Sequence, residues 1–62
     1  MYRYSVGPYE GDVVVALNPR DGKWSRGRVL DTLPGDLFHV LFFDLGFDDW
    51  VHANKVLLIQ VD

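Results

Sequence analysis

Three clusters of turn-forming residues, Asn18-Pro19-Arg20-Asp21-Gly22, Leu33-Pro34-Gly35-Asp36 and Asp44-Leu45-Gly46-Phe47, cut this chain into apolar segments too short for ordinary helices. Proline presets the first corner of a turn, glycine supplies positive φ, and Asp or Asn closes the turn through its side chain. The segments between them read as strands. Residues 12–17 contain the β-branched run Val13-Val14-Val15 followed by Ala16-Leu17, which suits a pleated surface. Residues 23–33 form a longer strand in which Arg26 and Arg28 alternate with Gly27 and Val29, the period of a sheet with one wet face. Gly27 weakens a strand unless something approaches it closely, so a bulge or a large ring lying over it is expected. Residues 37–43 place Phe38, Val40 and Phe42 on one face and His39, Leu41 and Phe43 on the other. A fourth strand covers about 48–52, a single helical turn covers 53–55, and a fifth strand covers 56–61.

Four or five short strands joined by tight turns imply an antiparallel meander. At 62 residues the sheet must curl to enclose a core, so the expected fold is all-β, a small SH3-like barrel. Gly7-Pro8 sets residues 1–11 apart as an extended N-terminal arm ahead of a barrel over residues 12–62. The arm's Tyr2, Tyr4 and Tyr9 either pack against the barrel or complete a ligand pocket. A domain this small buries only about 60% of the surface its unfolded chain exposes. With no cysteine to staple it, side-chain packing must supply the stability. Five of the nine aromatic residues lie within residues 37–51, where large rings fill a thin core efficiently. Trp24 is expected to close the barrel, whereas Trp50 falls on the more polar face with Asp48 and His52.

A formal charge of -3 argues against binding driven by phosphate or anionic lipid. No apolar run approaches the roughly 20 residues that span a bilayer, and Met1-Tyr2-Arg3-Tyr4 does not open a signal peptide. A soluble module without membrane contact, cut from something longer, is therefore expected. Asp44, Asp48 and Asp49 flank one turn, but paired-carboxylate hydrolysis needs two groups facing across a cleft, which a thin domain does not offer. His39 and His52 lack metal-ligand spacing, and Ser5 and Ser25 lack a base. Neither enzymatic activity, nor a metal, nor a cofactor is expected. Arg26 and Arg28 point the same way, either as a solvated strand face or as a contact for RNA or other nucleic acid.

The segment from Gly11 to Leu58 resembles a Tudor domain. The matching pieces are Gly11-Asp12-Val13-Val14-Val15-Ala16, Asp21-Gly22-Lys23-Trp24-Ser25-Arg26-Gly27-Arg28-Val29, Phe38-His39-Val40-Leu41-Phe42-Phe43-Asp44-Leu45-Gly46-Phe47 and Asp49-Trp50-Val51. The resemblance implies a module that binds peptides, in many cases through an aromatic cage around a methylated arginine or lysine, whose cation is drawn to ring faces. Carried over by position, the cage aromatics of the methylarginine-binding pattern meet Leu17 and Asn18 in the first strand, Ser25 after the tryptophan, and Phe42. The usual Asp-Tyr-Gly-Asn turn becomes Asp44-Leu45-Gly46-Phe47, so Phe42 is the direct match and Phe47 puts a ring where some methyl-lysine-binding relatives have one.

The resemblance thus implies a non-enzymatic protein-interaction module with an incomplete cage. Its partner, a protein or peptide of basic or methylated character, is expected to contact Phe42, Asp44, Leu45, Phe47, Asp49 and Trp50, with the aspartates setting charge preference. The alternatives are a methyl-lysine or methylarginine reader with an atypical cage, nucleic-acid binding through Arg26 and Arg28, and self-association through Leu45 and Phe47. The setting the resemblance implies is intracellular, nuclear or in a cytoplasmic ribonucleoprotein granule.

Overall fold

The computed structural model describes residues 8–58. Five strands follow in order: β1 (Val13–Leu17), β2 (Trp24–Leu33), β3 (Leu37–Phe42), β4 (Phe47–His52) and β5 (Val56–Leu58), with a 3-10 turn over Ala53–Lys55 between the last two. All neighbouring pairs are antiparallel, and the sheet order is β4-β3-β2-β1-β5. The fold is the small, curled all-β architecture that the turn spacing implies. Strand limits differ from the expected ones by a residue or so at several ends. The expected continuation of β5 over 59–61 and the arm tyrosines Tyr2 and Tyr4 lie outside the described residues.

The connectivity dictates the curl. β4 and β5 stand at opposite ends of the sheet order yet are joined by a three-residue 3-10 turn. In a flat sheet their positions would differ by four strand spacings, about 19 Å. Three residues rising roughly 2 Å each in a 3-10 turn cover far less than that, so the sheet bends until its outer strands approach. A backbone hydrogen bond from Ala53 N–H to the Asp36 carbonyl, 2.7 Å, ties this corner to the β2–β3 turn.

Bending gives the sheet a concave face, and the register decides who occupies it. The pairs Val29↔Val40, Phe38↔Val51 and Phe42↔Phe47 across β2, β3 and β4 face inward together with Ala16↔Val56 and Val14↔Leu58 across β1 and β5. Val14, Ala16, Val29, Val40, Phe42, Val51 and Val56 form the buried core, with Phe38, Phe47 and Leu58 packed against it. The core is mostly valine because it must fit inside a tightly bent sheet, with Phe42 as its largest fully buried member.

The same parity corrects one expectation. Trp24 does not close the barrel: it pairs with Leu17 and is 48% exposed. Ser25, Gly27 and Val29 point inward, so Trp24, Arg26 and Arg28 must point outward. Trp50 lies on the outer face, as expected, stacked on His39 with centroids 4.6 Å apart and an 18° interplanar angle.

Gly27 is closely approached, but by neither of the expected features. A Cβ built there would sit 2.4 Å from Val40 Cγ1 and 2.9 Å from the Leu41 carbonyl oxygen. The irregularity in the ladder falls later, where the register shifts between Val29 and Asp31 and leaves Leu30 as the extra residue. A methyl group at Gly27 therefore requires β2 and β3 to separate, and backbone cannot give way as a side-chain tip can. Gly27→Ala is expected to destabilise the domain by about 1 to 3 kcal/mol, read as a lower urea midpoint with an unchanged slope.

Candidate functional site

The end of the barrel carrying the β1–β2 and β3–β4 turns gathers most of the residues singled out from the sequence. The β1–β2 turn is built around Asn18. Its backbone N–H donates to the Lys23 carbonyl at 2.8 Å, its carbonyl accepts from Gly22 N–H at 2.8 Å, and its side-chain Oδ1 accepts from Arg20 N–H at 2.8 Å. Asp21 Oδ1 accepts from Lys23 N–H at 2.9 Å. Asn18 is 2% exposed, so this residue, at a cage position of the methylarginine-binding pattern, serves the turn instead of facing a ligand. In the β3–β4 turn the Phe42 carbonyl accepts from both Leu45 N–H and Gly46 N–H, at 2.9 and 2.8 Å. Gly46 adopts φ 83°, a conformation that costs other residues more.

Between these turns the side chains form a layered arrangement. Phe42 lies at the bottom with no exposed surface. Phe47 packs on it with ring centroids 5.2 Å apart at 33°. The Arg20 guanidinium, delivered by the β1–β2 turn, lies over the Phe47 ring with Cζ 3.7 Å from its centroid. Leu45, at the turn's apex, is 50% exposed. The expectation that Phe42 contacts a partner is therefore corrected: direct cross-strand pairing with Phe47 places it inside the core. The surface of this end is made by Leu45, Arg20 and the half-buried Phe47.

Charge at the rim is organised in pairs. Arg26 Nε donates to Asp44 Oδ2 and its Nη2 donates to Asp44 Oδ1, both at 3.1 Å, a bidentate pair between exposed side chains. The same guanidinium lies 5.3 Å from the Phe43 ring centroid. Arg28 Nη1 donates to the Gly11 carbonyl at 2.9 Å. Both arginines considered for nucleic acid are thus engaged within the domain, one of them by a carboxylate. Asp49 faces the concave side opposite Val40, and its Oδ1 accepts from Trp50 N–H at 2.8 Å. Trp50 itself stands on the convex face beside the His39–Asp48 pair. The candidate residues consequently divide, with Asp44, Leu45 and Phe47 at one turn and Trp50 on the other side of β4.

A groove runs between the β1–β2 turn and the corner after β4, bordered by Leu17, Pro19, Gly22, His52 and Lys55, and Trp50 lines it from β4. Neither it nor the layered end carries a catalytic constellation. Among the described residues no three His, Cys, Asp or Glu side chains are placed to hold a metal ion. Arg20 is the residue of this site that sequence reasoning missed. In the sequence it stands only as a member of the first turn cluster, and its stacking on Phe47 depends on how two turns meet.

A curled five-stranded sheet with two turns converging on an aromatic pair defines a small binding module of the Tudor type. The Tudor domain family model matches residues 3–62, and the chain belongs to that family. It is 40% identical over 55 residues, 86% of this chain, to Tudor domain-containing protein 6 of Homo sapiens. The chain spans 3% of that relative's length. Tudor domains are in general non-enzymatic modules that bind protein partners, often methylated ones.

The division between Phe42 and Leu45 is testable by stability. A domain of this size has roughly 3 to 9 kcal/mol to lose, and truncating a buried phenylalanine costs about 3 to 5 kcal/mol. Phe42→Ala is expected to lower stability by about 3 to 5 kcal/mol, whereas Leu45→Ala shifts it by less than about 0.5 kcal/mol. Thermal unfolding followed by circular dichroism separates the two.

Proposed function

We propose that this domain binds a protein or peptide partner at the end formed by the β1–β2 and β3–β4 turns, through Leu45 and the rim of Phe47, without a complete methyl-cation cage. The observation that carries the reading is the exposure of Leu45 beside a half-buried ring, with Asp44 and Arg26 fixed at the rim. An apolar centre with a charged border is the anatomy of a small protein interface.

The cage positions support the negative half of the proposal. A methylated cation needs rings on several sides. Here Phe42 is sealed in the core, Asn18 is folded into its own turn, Leu45 stands for an aromatic, and Phe47 is covered by Arg20. What remains is a surface that favours shape and apolar contact over the methylation state of a side chain.

Chemical-shift mapping with matched unmethylated, dimethylarginine and trimethyllysine peptides tests this. Perturbations are expected at Asp44, Leu45 and Phe47, with affinities for the three peptide forms agreeing within a few-fold. A tenfold or greater preference for dimethylarginine, about 1.4 kcal/mol, would establish a working cage and reject the proposal. Leu45→Asp is expected to weaken binding of every peptide form alike.

A further inference from the structure

The two arginines at the candidate site are held very differently. Arg26 lies near an aromatic ring, 5.3 Å from the Phe43 centroid, but a bidentate pair with Asp44 secures it. Arg20 lies closer to its ring, 3.7 Å from the Phe47 centroid. Among the described residues the one arginine or lysine paired with a carboxylate is Arg26, on Asp44, and no carboxylate of those residues stands within ion-pair distance of Arg20. Its guanidinium is held at this site by the face of Phe47.

The backbone that presents Arg20 is, by contrast, held by several hydrogen bonds. Asn18 Oδ1 accepts the Arg20 N–H, and the Asn18 backbone closes the turn against Gly22 and Lys23. A guanidinium on a fixed turn, resting on an aromatic face, has the geometry of a cation bound to a receptor ring. We infer that Arg20 is an internal ligand of this domain: it occupies the face of Phe47, and a cationic side chain from a partner reaches that ring only by displacing it. Arg20 is then a specificity-determining residue. It lowers the affinity of the end for cations while leaving Leu45 open to apolar contacts. The identity of this end as the docking end rests on the reading above, but the occupancy of Phe47 does not.

The size of the effect follows from the interaction. Exposed cation–π contacts change an equilibrium by roughly two- to fivefold, so Arg20 attenuates competition for the ring without abolishing it.

Two measurements on the 62-residue chain test the inference. In the free domain the side-chain protons of Arg20 are expected to resonate upfield through the Phe47 ring current, and Phe47→Leu is expected to return them to ordinary positions. Unshifted Arg20 protons would overturn the inference. Titration with tetramethylammonium chloride, against sodium chloride at equal ionic strength, is expected to perturb the Phe47 signals of Arg20→Gln at a two- to fivefold lower concentration than in the unsubstituted chain, with Arg20→Lys between them. An equal or weaker response of Arg20→Gln would also overturn it. These outcomes are independent of peptide docking: shifted Arg20 protons with no peptide response at Leu45 would leave this inference standing and reject the docking reading, and the converse pattern would do the reverse.

Discussion

A five-stranded sheet whose outer strands are joined by three residues cannot lie flat, and the rest of this domain depends on that. The short link from β4 to β5 forces the sheet to curl, and the curl creates a concave side narrow enough for valine and a few rings to fill. It also brings the β1–β2 and β3–β4 turns to the same end, so residues far apart in sequence meet there. Even the tolerance for a side chain at Gly27 is set by it. β2 and β3 are pressed together where the sheet bends, and Val40 fills the space a methyl group would need.

The end that carries the β1–β2 and β3–β4 turns inherits its character from this geometry. Phe42 anchors Phe47, Phe47 supports Arg20, and Asn18 holds the turn from which Arg20 projects. Each layer is defined by the one below it, and the outermost is the weakest. The chain belongs to the Tudor family, and at this end its own Arg20 lies over the Phe47 ring.

Much of the fold was legible in the sequence because its turns are chemically explicit. Gly22 and Gly46 both adopt the left-handed conformation expected of them, and the alternation in residues 37–42 correctly separates Phe38, Val40 and Phe42 from His39 and Leu41. Trp24 was misjudged although the information was present: it shares the parity of Arg26 and Arg28, and size outweighed parity in the expectation. Phe42 was assigned by resemblance to a contact surface, whereas its pairing with Phe47 buries it. The bulge at Leu30 and the stacking of Arg20 left no local trace. Both depend on how separate segments meet in space, which no periodicity along one segment encodes.

Asp49 spends its side chain on the N–H of Trp50, the next residue of β4, and among the described residues β4 pairs on one side only. A strand margin that satisfies its own amide and carries adjacent carboxylates is a poor template for another chain to extend. Along β4, then, the backbone offers another strand little to pair with.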